Sequence, residues 1–136
     1  MKRFKFFTML TLTVLMVAAT AIAQTPEKIT FHAPFEFTVA DRTLPAGNYT
    51  IRSLSQTRLL IRSDDGHETL IATNFAAQAK QTPSSTEVVF KRYGDQYFLY
   101  QLFVQGTDIG CQLPRSQVEV RLAKTVAPVK VPVAGR

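Results

Sequence analysis

From Ile29 to Val39 the chain alternates without a slip: Ile29, Phe31, Ala33, Phe35, Phe37 and Val39 are apolar, while Thr30, His32, Glu36 and Thr38 between them are polar. Side chains of a strand point alternately to its two faces, so a period of two predicts extended chain with one face buried. Pro34 falls on the polar side. Having no N–H to give a ladder, it predicts a sheet edge or a bulge at that point, or two shorter strands joined at the proline.

The turns that follow divide the rest into further short strands. Leu44-Pro45-Ala46-Gly47 is a turn, because proline presets φ for the second turn position; Tyr49 and Ile51 then form the inward face of a second strand. Leu59 to Ser63 and His67 to Thr73 flank Asp64-Asp65-Gly66 as a hairpin. A two-residue loop would pair Arg62 with Thr69, and a three-residue loop with a bulge would pair Arg62 with Glu68. The second is preferred, since it sets opposite charges across the strands. Residues 74–86 show no clean period and end in a loop-forming cluster. Glu87–Tyr93 and Gln96–Val104 flank Gly94-Asp95 in the clearest hairpin, with Phe90 facing Leu99, Val89 facing Tyr100 and Arg92 opposite Tyr97. The second of these runs is apolar on both faces, which places it centrally and covered on both sides.

After a loop containing Gly106 and Gly110, Ser116-Gln117-Val118-Glu119 has the serine-x-x-glutamate pattern of a helix start. It predicts a short helix over 117–124, although Val118, Val120 and Leu122 also alternate as a strand would. The tail 125–136, with Pro128 and Pro132 among valines, is expected to be extended or disordered and loosely held. No internal repeat is visible. About six to seven mainly antiparallel strands in so short a chain predict an all-β domain, a sandwich or a partly closed barrel, with a short C-terminal helix.

The N-terminus bears on compartment. Lys2, Arg3 and Lys5 precede an uncharged stretch from Phe6 to Ala19, of about 14 residues, short of the ~20 needed to span a bilayer. Ala21-Ile22-Ala23 closes it with the small-x-small pattern of a cleavage site. Residues 1–23 therefore read as a signal peptide, 24–124 as one β-rich domain and 125–136 as a tail. No other stretch is long and apolar enough to cross a membrane, so the mature chain is expected in the periplasm or outside the cell. Three of the 16 Lys and Arg residues lie in the leader, leaving 13 against 10 Asp and Glu, or +3 for the mature chain. These charges alternate in sign along the sequence, which argues against a nucleic-acid partner. With Cys111 the only cysteine, no intramolecular disulfide can form and packing alone must hold the fold.

Five segments carry a resemblance. Phe35-x-Phe37-x-Val39, Leu44-Pro45-Ala46-Gly47-x-Tyr49-x-Ile51, Leu60-Ile61-Arg62-Ser63-x-Asp65-Gly66, Phe90-x-Arg92-Tyr93-Gly94-Asp95-x-Tyr97-Phe98-Leu99 and Leu113-Pro114-x-Ser116 together resemble a family of short exported bacterial proteins, across residues 29–124. The resemblance implies a signal peptide, a β-rich body and a helical segment near the C-terminus, and so favours helix over strand for 117–124. It attaches no biochemical role to any residue. Cys111 departs from it, standing where a polar or basic residue is expected.

Residues for chemistry are sparse. His32, His67 and Cys111 are the only soft or borderline metal ligands and lie far apart without short spacing, so no metal or other cofactor is expected. Asp64 and Asp65 read as turn formers, since the alternating oxygen ligands of a calcium loop are missing. A thiol nucleophile would need Cys111 with His32 or His67 as base; the plainer reading is a small half-buried hydrophobe, or an intermolecular disulfide through Cys111. No G-x-S-x-G turn is present, and Glu36, Glu68, Glu87, Asp95 and Asp108 are not distinguished from solvated strand and turn charges. The remaining surface signal is Arg92, Tyr93 and Tyr97 at a hairpin tip, a cluster suited to stacking on a glycan or contacting a protein. The expectations rank as a non-catalytic exported module binding a protein or glycan, then an enzyme such as a hydrolase with an unrecognised acidic site, then an assembly protein pairing through an edge strand, for which Pro34 marks one candidate edge.

Secretion by an exporting host is expected to yield a chain of 113 residues beginning at Gln24. Intact-mass measurement of the exported protein reads this directly, and a mass retaining residues 1–23 refutes the leader.

Overall fold

Pro34 divides the alternating run. The computed structural model describes residues 28–136, so the signal-peptide reading of 1–23 lies outside the described residues. Before the proline, β1 (Lys28–Ala33) belongs to one sheet; after it, β2 (Phe37–Val39) belongs to another. Of the options left open at Pro34, two short strands are what form. The chain changes sheet there while keeping Ile29, Phe31, Ala33, Phe37 and Val39 buried, because the interior lies on the same side of both strands.

The first sheet has the order β1-β4-β5-β6, with β4 (Gly47–Ser55), β5 (Arg58–Ser63) and β6 (Thr69–Thr73) all antiparallel. The second has the order β11-β8-β9-β10-β7, formed by β7 (Phe75–Gln78), β8 (Glu87–Tyr93), β9 (Gln96–Phe103), β10 (Ile109–Gln112) and β11 (Val129–Ala134). Beside it β2 pairs in parallel with the start of β9 and antiparallel with β3 (Arg42–Leu44). The two sheets, mostly antiparallel and not closed, make a β-sandwich-like body with one helix, α1 (Gln117–Leu122).

Six aromatic rings fasten the sheets together. Phe31, Phe37 and Phe90 lie mutually 5.3–6.2 Å apart, Tyr49 packs on Phe31 and Phe37, and Phe35 sits edge-on to Phe90 while stacking on Tyr97 at 3.7 Å. Such pairs add about 0.5–1.5 kcal/mol each beyond the area they bury. The proline turn serves this cluster, since the Tyr49 hydroxyl donates to the Pro45 carbonyl and so ties a core ring to the turn that precedes it.

Eleven strands form among the described residues where about six to seven were expected. The extra ones are short and lack an apolar run. The β2–β3 turn uses Ala40 and Asp41 at φ 49° and 66°, neither of them the Asn-Gly or Gly-x pair that announces such a turn; Asp41 Oδ1 accepts from Gln117 N–H, so the turn also seats the helix start. Strands β7 and β10 pair with each other where only loop chemistry was legible. After a turn at residues 125–126 the tail is extended but not loosely held. Strand β11 runs along β8 from Val129 to Ala134, and beyond it Arg136 exchanges backbone hydrogen bonds with Thr30 of the other sheet. Those last residues cover the edge of β1, which Pro34 had marked as a candidate for pairing.

Two registers differ from expectation. Arg62 faces Thr69, not Glu68. Asp65 accepts from the Ser63 hydroxyl and His67 N–H, Ser63 and Glu68 exchange hydrogen bonds, and Glu68 is drawn to Arg42 of β3 at 3.0 Å. In the second hairpin Phe90 faces Leu99 and Arg92 faces Tyr97 as expected, but a bulge follows and Val89 faces Gln101 instead of Tyr100. The extra residue lets both Leu99 and Leu102, three apart, reach the core, which an unbroken period of two forbids. The helix forms with Ser116 Oγ capping Glu119 N–H, and spans 117–122 rather than 117–124.

Phe37 is 1% exposed at the centre of the ring cluster, whereas its neighbour Glu36 points to solvent. Phe37→Ala is expected to cost ~3–5 kcal/mol and Glu36→Ala within ~0.5 kcal/mol of zero. Chemical denaturation of the two variants checks it, and equal losses refute the facing of β2.

Candidate functional site

Alternation along β8 separates the residues expected to form one surface. Phe90 and Arg92 point to the inner side, where Tyr97 opposes Arg92 and its ring is stacked on Phe35 as part of the core packing. Tyr93, one residue on, turns to the other face and is 2% exposed. Arg92, Tyr93 and Tyr97 therefore do not make a single exposed patch, and both rings expected to meet a partner pack against the protein instead.

The outer face of β8 and β9 holds a second, buried cluster. Tyr93 packs edge-on to Phe98 at 5.6 Å, and Lys91 Nζ lies 3.8 Å from the centre of the Tyr100 ring, a cation–π contact. Helix α1 turns Glu119 toward these groups, 3% exposed, while Val118 and Val120 face solvent. That polarity is the reverse of an ordinary amphipathic helix. Burial pushes the Glu119 carboxyl above the usual carboxylate range, against the opposing pull of Lys91 and Arg115. Burial also raises the Tyr93 hydroxyl, with the Glu119 charge adding to it, and Tyr93 Oη has no hydrogen-bond partner among the described residues. Spent on holding the helix, this cluster offers no opening to a ligand.

A cleft between the sheets does. At the end of the sandwich where β4 turns into β5, the sheets part to leave a cavity volume of about 550 Å³, within the ~300–1,000 Å³ of ordinary ligand sites. Ile29, Ile51 and Leu59 line it from the first sheet; Ala76, Leu102, Val104, Ile109 and Cys111 line it from the second. Ser53, Ser55, Gln56 and Thr57 stand at one side and Phe75 at the strand that forms its lip. No charged side chain lines it among the described residues. Gly110 is needed in this wall because a Cβ there would fall 2.2 Å from the Leu102 carbonyl oxygen and 2.5 Å from the Phe103 ring. Asn74, at the crossing from β6 to β7, also belongs to the wall; it is 4% exposed and its Oδ1 has no partner among the described residues. Leaving such an atom unsatisfied costs about 1–3 kcal/mol.

The cleft escaped sequence reasoning because its residues come from six separate strands and the turns between them. Only Cys111 had been singled out. It lies half-buried on β10, opposite Leu102 on one side and Ala76 on the other, and packs against the core. A disulfide from it to a second chain would occupy the same space as a ligand. His32, exposed, makes a hydrogen bond of 2.8 Å with Asn48 Oδ1, and His67 lies in the β5–β6 turn; neither lines the cleft, so a Cys–His pair is not assembled there. Among the described residues no three of His, Cys, Asp and Glu stand together to hold a metal ion, and no helix is long and apolar enough to cross a membrane.

A raised carboxyl fixes the sign of a pH effect. The folded chain holds the Glu119 proton more tightly than the unfolded one, so stability falls as pH rises from about 4.3, the free glutamate value, through the raised folded value. Glu119→Gln is expected to remove that fall. Denaturant titrations of both chains across this range test it, and parallel profiles refute the burial of an ionisable Glu119.

Compared with protein-family models, with curated proteins and with solved structures, the chain has no match.

Proposed function

We propose that this protein is an exported, non-catalytic binding module, processed at Ala23 and active in the periplasm or outside the cell, whose inter-sheet cleft takes an apolar segment of a protein partner. The observation that carries the reading is the lining of the cleft. Aliphatic walls without a charged group favour burial of apolar surface, worth about 25 cal/mol per Å² removed from water. Among the described residues the Cys111 thiol is the one titratable side chain they carry, with no carboxylate or imidazole beside it in the lining to act as general acid or base.

A protein suits the cleft better than a glycan. Sugars bind by stacking on flat rings, and among the described residues Phe75 is the one ring in the lining. Strand β7, which carries Phe75 and Ala76 to the lip, ends its sheet in the order β10-β7 and, among the described residues, has one side of its backbone unpaired by another strand. An extended segment added to that edge gains main-chain hydrogen bonds and lays alternate side chains toward the cavity. This joins the edge-pairing and binding readings at one place, with the free edge at β7 rather than at Pro34.

The test uses a neutral fluorophore, N-phenyl-1-naphthylamine, with the exported chain. Saturable fluorescence enhancement is expected, displaced by a peptide of alternating leucine and threonine and not by a neutral oligosaccharide. Ala76→Trp, which fills the cavity from an exposed position, is expected to weaken binding about tenfold or more, equivalent to about 1.4 kcal/mol, with an unchanged circular dichroism spectrum. Absence of saturable binding, or equal binding by Ala76→Trp, overturns the proposal.

A further inference from the structure

Folding gathers cations that the sequence scatters. On the solvent side of the first sheet the register sets Lys28 opposite Arg52, Arg52 opposite Leu60 and Leu60 opposite Ile71. Two residues along β5 in either direction from Leu60 stand Arg58 and Arg62, on the same face by the period of two. All four cations are exposed. Among the described residues one carboxylate, Asp64, borders them, and it accepts a hydrogen bond from Thr50. The described residues hold 13 Lys and Arg and nine Asp and Glu; with four cations and one carboxylate on this face, nine and eight remain for the rest of the molecule. Most of the excess positive charge thus lies on one side of one sheet.

Placing Lys28 against Arg52 works against the fold, since like charges directly opposite in a sheet destabilise it. Among the described residues the only ion pair is Arg42–Glu68, and it includes none of the four cations. At the middle of the cations are two aliphatic side chains, Leu60 half-buried and Ile71 58% exposed, and no aromatic ring. Three of the four cations are arginines, whose planar fork matches the oxygens of a phosphate. A flat face that pairs exposed aliphatics with phosphate-binding groups complements the boundary of an anionic bilayer, where headgroup phosphates lie beside acyl chains. A soluble polyanion would use the arginines and leave Ile71 without a role.

We infer that the outer face of the β1-β4-β5-β6 sheet docks on an anionic phospholipid surface through Lys28, Arg52, Arg58 and Arg62, with Leu60 and Ile71 meeting the acyl boundary. Ile29, Ile51 and Leu59, which line the cleft from this sheet, face the interior, on the opposite side of the sheet from these cations.

The experiment is co-sedimentation of the chain recovered from an exporting host with vesicles of phosphatidylglycerol and phosphatidylcholine in equal parts, and with vesicles of phosphatidylcholine alone. Residues 1–23, where retained, are the same in every variant, so attraction of Lys2, Arg3 and Lys5 to anionic lipid does not change with the substitutions below. Binding is expected on the anionic vesicles only, to fall with rising salt, and to weaken about thirtyfold in the double variant Arg52→Gln, Arg62→Gln, at ~1 kcal/mol per charge. Ile71→Ser, which leaves the charge unchanged, is expected to weaken it several-fold. All these positions are exposed and leave the core packing in place, which an unchanged circular dichroism spectrum of each variant checks. Equal binding to both vesicles overturns the inference. So does dextran sulfate binding of the same strength with no effect of Ile71→Ser, which would assign the face to a soluble polyanion.

Discussion

The structure depends on a change of sheet at Pro34. A proline has no N–H to spend on a ladder, so the chain leaves the first sheet there at little cost and enters the second three residues later. Because the interior lies on one side throughout, Phe31 before the crossing and Phe35 and Phe37 after it converge on Tyr49, Phe90 and Tyr97. This ring cluster links five strands from both sheets. In a chain without a disulfide it supplies the cross-tie that a covalent bridge would otherwise provide.

The two open features of the molecule follow from how the sheets end. Near the rings the sheets are held close, and at the far end, beyond Ile51 and Leu59, no large side chain among the described residues fills the gap and the cleft results. At the C-terminus the opposite happens. Strand β11 extends the second sheet and Arg136 reaches back to Thr30, closing one side of the sandwich and leaving β6 and β7 as the strands that end their sheets. Closure on one side and an open lip on the other give the body a direction, with the cleft and the unpaired edge of β7 adjacent.

Strong local signals were read correctly. The inward faces of β1, β2 and β4, the Gly94-Asp95 hairpin with Phe90 opposite Leu99, and the Ser116 cap all depend on neighbours in sequence. Weak or missing local signals were misread. Ala40-Asp41 carries no turn signature, β7 and β10 are stabilised by each other rather than by apolar content, and the Arg62 register was assigned by a charge pairing that Glu68 makes with Arg42 instead. Of the site, only Cys111 had been noticed, and the expected tyrosines proved to be inside.

Sequence alone settled period, polarity and turn position: that this chain is β-rich, that particular phenylalanines face inward, and that Ser116 can cap a helix, with a strand left open as the alternative for 117–124. These are local quantities, decided by steric alternation and backbone hydrogen bonds a few residues apart. Tertiary structure decided which strands meet. Whether Arg52 stands beside Lys28, whether Ala76 and Ile51 face across a cavity, and whether Glu119 lies above Lys91 all depend on pairing between segments distant in the chain, and alternation is the same for every such pairing.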